Sequence, residues 1–275
     1  MSGFSAVNQN HHSLAQTADK YALYRRSVCT PDDDARFFVR YFKRLTGEPL
    51  RYLREDFCGG ADLLCEFVKM NSQNRGLGID MDSKPLQWCR RFNLPKLSED
   101  QRERVELRRG NVLSIHPADA DLIAAMNFSY SVFKTRDRLR NYFAKAHRGL
   151  RKGGVFILDA NGGTELTVVG KDTWRVGNFR YVWQVERFDP ITYEILCKMH
   201  FLFADGSQLQ DAFVYDWRLW TLPEIRELLA ETGFRDIHVL WEGTDRKSEY
   251  GNGVMRRVNR GVIEQAWYAM VVARK

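Results

Sequence analysis

The sequence predicts an α/β protein in which a mostly parallel sheet is wrapped by helices and carries an antiparallel β cap. Three observations lead there. Along the middle of the chain, short apolar runs alternate with stretches whose apolar residues recur every three or four positions, the pattern of strands linked by crossing helices. Between residues 179 and 220 the period shortens to two, with Asp189-Pro190 and Asp205-Gly206 separating three runs rich in Val, Phe, Tyr and Trp. Glycines cluster where the first strand gives way to its helix, beside the carboxyl ends of strands where open sheets take ligands.

Taken in order, residues 1–50 read as helical and polar-faced, with helices over 19–24 and 33–45. Residues 50–57 form the first strand, and Leu63, Leu64, Phe67 and Val68 then share one face of a helix over 61–70. Residues 76–80 form the second strand. Ser83 is suited to cap the next helix, with Pro85 in its first turn, Leu86 and Cys89 inward, and Asn93-Leu94-Pro95 as its stop. Strands over 104–113 and 121–128 follow, then a helix over 138–150 through Leu139, Tyr142, Phe143 and Ala146. Gly153-Gly154 precedes an apolar strand over 155–158. After the antiparallel segment, Thr221-Leu222-Pro223-Glu224 is a capping box, Ile225, Leu228 and Leu229 form an apolar stripe, and Gly233 ends the helix. Residues 237–241 and 266–273 complete a seven-stranded sheet. The domain organisation expected is an N-terminal helical lid segment (1–50), a sheet domain (51–164 with 221–275), and an antiparallel cap insertion (165–220) closing over the sheet's C-terminal edge.

A chain of 275 residues with 44% hydrophobic side chains has enough apolar material for one large packed domain, which excludes a small disulfide-stapled module. The longest apolar run, residues 266–273, falls far short of the ~20 residues of a membrane-spanning helix, and residues 1–20 lack the order of a signal peptide. A soluble, cytoplasmic protein is expected. Five cysteines form no Cys-x-x-Cys pair and no Cys/His cluster at zinc spacing, and the six histidines, His11-His12 included, show no metal pairing. Reduced thiols and no metal site follow. The net charge of +7 comes from arginines scattered along the chain, as on solvated faces; it fits an anionic ligand or nucleic acid and requires neither.

The chemistry concentrates at two strand ends. Glu55-Asp56-Phe57-Cys58-Gly59-Gly60-Ala61 places two glycines between a strand and a helix, where a ligand can approach the backbone and the helix N-terminal amides. Asp80 ends the next strand, 25 positions after Glu55, where a carboxylate can take both hydroxyls of a ribose. A nucleoside-containing cofactor follows. The dinucleotide fingerprint fails, because Phe57, Gly59 and Asp62 stand at its three glycine positions in the best register. With no pyrophosphate to cradle, Glu55 becomes useful, since it can face the ammonium and sulfonium of S-adenosylmethionine (SAM).

These residues, together with Gly76-x-Gly78-x-Asp80, Gly110-Asn111-Val112 and the strand order, resemble the Rossmann-like class I SAM-dependent methyltransferases over about residues 50–165 and 221–275. The resemblance is closest to the small-molecule branch, whose antiparallel insertion precedes the last helix. It implies SAM as cofactor, with Glu55 reaching the methionine amino group through water and Cys58, Gly59 and Gly60 along the methionine portion. Asp80 would bind the ribose, Met81 and Val112 would sandwich the adenine, and Asn111, in place of the family's aspartate, would accept the adenine amino group. Phe57 and Ala61 replace glycines common in the family's motif. Tyr21 and Tyr24, on one helical face, are placed either to lie on the cofactor as a lid or to pack on the sheet.

Asn127-Phe128-Ser129-Tyr130 is partly like the Asn-Pro-Pro-Tyr loop of amino-methylating members, without its two prolines. The resemblance implies that Asn127 and Tyr130 meet the cofactor's methyl and the acceptor. His200, Tyr130 and Glu242 are the general-base candidates, and the loops over 242–245 and 249–253 the candidates for substrate contact. The function expected is methyl transfer to a small-molecule acceptor, an amine nitrogen preferred over oxygen, with no nucleic-acid or membrane partner. The alternatives are a nucleic-acid or protein methyltransferase and a nicotinamide-dependent oxidoreductase.

Overall fold

The computed structural model describes residues 12–115, 118–245 and 251–275. Three helices lead: α1 (Leu14–Thr17), α2 (Lys20–Val28) and α3 (Pro31–Thr46). The last begins at Pro31, whose fixed φ suits a first helical position, and ends at Gly47, which sits at φ 80° with its N–H bonded to the Lys43 carbonyl at 2.8 Å. Then come β1 (Tyr52–Asp56), α4 (Asp62–Lys69), β2 (Arg75–Asp80) and α5 (Ser83–Trp88). The cap of α5 is Asp82, which accepts from the Lys84 N–H, so Ser83 is the first helical residue and not the cap. Past a π-helical turn at Cys89–Asn93, the chain continues through α6 (Glu99–Glu103), β3 (Val105–Arg109), β4 (Ala120–Ala125), α7 (Arg136–Gly149) and β5 (Leu150–Gly162).

Four antiparallel strands follow: β6 (Gly170–Val176), β7 (Phe179–Phe188), β8 (Glu194–Phe203) and β9 (Gln208–Arg218). The chain ends with α8 (Leu222–Glu231), opened by the capping box at Thr221, then β10 (Arg235–Thr244), β11 (Gly251–Val258) and β12 (Trp267–Arg274). Among the described residues the main sheet has eight strands in the order β11-β10-β12-β5-β4-β1-β2-β3. The seven expected strands are all in it. The eighth, β11, starts within the expected 249–253 loop, and β6 adds a fourth strand to the expected three of the meander. Both are edge strands with no buried residue, so neither leaves an apolar alternation in the sequence.

Strands β3, β2, β1, β4 and β5 run parallel, whereas β12 is antiparallel to β5 and β10. From β1 the chain steps outward to β2 and β3, then returns to the far side of β1 for β4 and β5. That reversal opens a crevice at the carboxyl ends of β1 and β4. Both faces of the sheet are covered: Phe38, Phe42, Leu64 and Phe67 pack on one, Tyr142, Phe143, Ile225 and Leu228 on the other. This is why Leu122 to Ala125 read as a continuous apolar run. The N-terminal helices dock on the second sheet through Leu14 N–H to Asp205 (2.8 Å), Ala15 N–H to Ser207 (3.1 Å) and the apolar contact of Leu23 with Phe179, Met199 and Phe201. Among the described residues no helix is long and apolar enough to cross a membrane.

The central strand holds an unusual polar pair. Arg54, 1% exposed, donates from Nε (2.7 Å) and Nη2 (3.2 Å) to the Asp56 carboxylate, which also accepts from the Tyr142 hydroxyl at 3.0 Å. Two positions apart on β1, the two side chains share one face of the sheet. A Cβ at Gly149 would lie 2.7 Å from the Arg54 guanidinium, so the glycine at the end of α7 makes room for the pair. Removing one partner strands the other charge in the core, at a cost of ~3–5 kcal/mol. Asp56→Ala is accordingly expected to lose several kcal/mol in urea unfolding, and a loss under ~1 kcal/mol would show the pair to be dispensable.

Candidate functional site

A cleft of about 950 Å³ opens at the carboxyl ends of β1, β2 and β4, walled by α2, α3 and β9. Its floor is the turn from β1 into α4. Phe57 (φ 59°), Gly59 (φ 51°) and Ala61 (φ 51°) all adopt the left-handed conformation there. Phe57 and Ala61 are the two departures from the glycine pattern noted in the sequence, and each carries the ~1–2 kcal/mol that a Cβ costs in this region. Gly60 lies against the Trp88 ring and the Asp62 carboxylate, both 3.0 Å from where its Cβ would be, so a side chain there meets both.

Asp80 closes the floor. One carboxylate oxygen accepts the Gly59 N–H at 2.9 Å and the other the Asp82 N–H at 2.8 Å, which fixes the group and leaves lone pairs for two further donors. Burial raises its pKa against the pull of those N–H groups. Glu55, 8% exposed, also lines the cleft, and its Oε2 has no hydrogen-bond partner among the described residues. Burial, and then the neighbouring Asp62, Asp34 and Asp80, push its pKa well above the usual carboxylate range. A buried oxygen in that state is costly until a donor or cation reaches it.

Eight carboxylates line the cleft: Asp33, Asp34, Glu55, Asp62, Asp80, Asp82, Asp159 and Glu242. Among the described residues the cationic side chains lining it are Lys20 and Arg40, so this described lining is acidic in a chain of net charge +7. Toward α5 the wall is aromatic, with Tyr21 5.8 Å from Trp88 and 5.9 Å from Phe213, and Tyr24 5.0 Å from Phe213. Trp88 Nε1 donates to Asp19 at 2.5 Å, while the other oxygen of Asp19 caps α2 by accepting the Tyr21 N–H at 2.9 Å. At the far end, the N–H groups of Asn127 and Phe128 donate to the two oxygens of Asp159 at 2.7 and 2.8 Å. Burial pushes the Asp159 carboxyl up to about 7, and burial with the nearby Asp33 pushes Asp34 up to about 6.

Of the residues singled out in the sequence, Tyr21, Glu55, Cys58, Gly59, Gly60, Asp80 and Asn127 come together in this cleft, joined by Tyr24, Tyr215 and Glu242. Met81, Asn111 and Val112 do not line it. Met81 is 65% exposed, Val112 is buried in the core with Ile79, and the Asn111 side chain turns back to accept the Leu113 N–H at 2.9 Å. Tyr130 is also outside: the 3-10 turn Ser129–Val132 carries its ring into the core beneath α7. His200 is on β8 between Met199 and Phe201, which face α2, so its ring points to the opposite face of that sheet. There it pairs with Gln184 (3.0 Å) and the Asp211 N–H (2.9 Å), and burial lowers its pKa. His11 and Glu249 lie outside the described residues. Sequence reasoning passed over Asp19, Asp34, Trp88, Asp159 and Tyr268. For Asp159 a signal existed, as it is the one charged residue in the apolar run from Val155 to Ala160.

The raised carboxyls carry a pH signature. Where the native pKa exceeds the unfolded value, the folded chain keeps a proton that the unfolded chain has released. Stability from Asp34 and Asp159 is thus fully present below about pH 4 and is lost as pH rises through about 6 and about 7. Urea unfolding of the wild type is expected to show a larger drop in stability between pH 5 and pH 8 than Asp159→Asn, which cannot titrate there. Equal drops would contradict the assignment.

No protein-family model matches the chain, and no curated protein matches its sequence. Solved structures do match. A SAM-dependent methyltransferase from Clostridium acetobutylicum ATCC 824 superposes with a TM-score of 0.67 at 16% identity, covering 93% of this chain and 97% of the other. A SAM-bound amino pentose methyltransferase from Micromonospora echinaspora gives 0.65 at 17% identity, with 92% and 95% covered. A sugar N-methyltransferase from Streptoalloteichus sp ATCC 53650 gives 0.63 at 15% identity, with 100% and 98% covered. Similarity of this extent at such low identity is similarity of fold, and it includes the second sheet and the N-terminal helices. The chain has the fold of the class I SAM-dependent methyltransferases.

Proposed function

We propose that the chain is a SAM-dependent methyltransferase acting on a small-molecule acceptor at an amine nitrogen. The observation that carries this is Glu55, a buried carboxylate that lines the same cleft as Gly59 and Asp80 and has one oxygen without a hydrogen-bond partner among the described residues. A nucleoside bearing a cationic amino-acid arm satisfies all three: Asp80 takes the ribose hydroxyls, Gly59 and Gly60 let the arm lie against the backbone, and Glu55 receives the ammonium. When bound, SAM supplies a methyl group already activated by its sulfonium. The chain's task is then to align the acceptor and keep water out, and alignment alone is worth ~7–11 kcal/mol.

The cleft's charge supports a cationic acceptor, and the named activities of two solved neighbours, amino pentose methylation and sugar N-methylation, support nitrogen. An ammonium must shed its proton before its lone pair attacks. Asp34, pushed up to about 6, is ionised at neutral pH and basic enough to share that proton, whereas His200 and Tyr130 lie away from the cleft. Crowded carboxylates disfavour a nucleic-acid acceptor by repulsion, and the same repulsion disfavours the pyrophosphate of a nicotinamide cofactor.

Calorimetry tests the cofactor. SAM and S-adenosylhomocysteine are expected to bind and NAD to give no heat; the reverse result would sink the proposal. Asp80→Ala should weaken SAM binding at least roughly tenfold while the chain stays folded, because each hydrogen bond to a charged group is worth ~1.5–3 kcal/mol. An unchanged dissociation constant would make Asp80 a purely structural residue.

A further inference from the structure

Asp159 is 3% exposed at the carboxyl end of β5, among Phe156, Ile157, Leu158 and Ala160, all apolar and buried. The strand itself has no use for a charge there. Its two oxygens accept the successive N–H groups of Asn127 and Phe128, which sit at φ 57° and 55°. That conformation is disfavoured for residues with a Cβ, so the carboxylate holds a turn that neither residue adopts readily. The groups facing it are Tyr24 from α2, Asp34 from α3, Tyr130 from the turn after β4 and Tyr268 from β12, and no ion pair among the described residues includes it. It nevertheless lines the cleft, with lone pairs left after both backbone bonds are made.

We infer that Asp159 is the positioning residue of the methyl-transfer point: it fixes the turn at Asn127 and Phe128 and gives that point a negative charge that favours a cationic acceptor. The inference rests on the methyltransferase reading and adds to it a residue and a mode of selectivity. The two tasks are linked, because Asn127 and Phe128 line the same cleft as the carboxylate that holds them. A neutral clamp such as asparagine has one side-chain oxygen for two N–H donors, so it loses both a bond and the charge.

Sinefungin tests this without an identified acceptor. It carries an amine-bearing carbon in place of the sulfonium and its methyl, so its extra ammonium stands where the methyl is transferred; S-adenosylhomocysteine has nothing there. By calorimetry the wild type is expected to bind sinefungin at least tenfold more tightly than S-adenosylhomocysteine. In Asp159→Asn that preference should fall at least fivefold while the affinity for S-adenosylhomocysteine stays within threefold, which also shows that the variant is folded. In the wild type, hydrogen exchange at the Asn127 and Phe128 amides should be slow, whether or not the variant can be purified. A preference unchanged in Asp159→Asn, no preference in the wild type, or rapid exchange at both amides would overturn the inference. Failure of the wild type to bind either compound is a different outcome, since it removes the methyltransferase reading itself.

Discussion

A parallel sheet whose strand order reverses between β1 and β4 leaves a crevice at their carboxyl ends, and the site follows from how the chain leaves β1. It leaves by a turn with three left-handed residues, two of which carry side chains. Packing offsets that strain: Phe57 meets Tyr142 and Phe133 edge-on at 5.5 and 6.0 Å, and Ala61 is fully buried. The hydrogen bond from Gly59 to Asp80 then locks the turn to the end of the neighbouring strand. Below it, Arg54 and Asp56 tie β1 to α7 through Tyr142, the same ring that supports Phe57. Turn, Asp80 carboxylate and buried ion pair are one mechanical unit.

Charge in this molecule is partitioned by burial and not by composition. The basic excess lies on outer surfaces, where Arg108 and Arg136 pair with Glu106 and Glu231 in contact with solvent and contribute little. The acids that matter are gathered at strand ends, where burial and mutual repulsion raise the pKa of Glu55, Asp34 and Asp159 together. Such a cluster is destabilising by itself, and a cation entering it relieves both the desolvation and the repulsion. The net charge, read from the sequence, therefore points away from the preference of the cleft.

What the sequence made legible was what depends on local pattern. The parallel core strands, the capping box at Thr221 and the Gly59-Gly60 turn each carry their own signal of period, cap or glycine. Edge strands β6 and β11 bury nothing and left none. Glu55, Asp80 and Asn127 come together in the cleft because strand ends border the crevice. Tyr130 and His200 lie outside it for a geometric reason. A residue's side of a turn or strand is settled by its neighbours: with Met199 and Phe201 packed toward α2, period two sends His200 the other way. The Gly110-Asn111-Val112 segment was chosen by resemblance alone, and Asn111 spends its oxygen on its own turn.

The α5 end of the cleft shows how few residues are needed to close it. Asp19 caps α2 with one oxygen and holds the Trp88 indole with the other, so forming the helix and placing it over the cleft use the same carboxylate. Tyr21, in the first turn of that helix, then stands between Trp88 and Phe213, which joins α5 to the second sheet through aromatic contacts. Lys20 reaches the Ala212 carbonyl at 3.0 Å from the same turn. A disturbance at any of these contacts is passed to the others, because α2 has nine residues and a single buried residue, Leu23, to hold it. Its position is set by partners on two sides, Trp88 of α5 on one and Ala212 and Phe213 of β9 on the other.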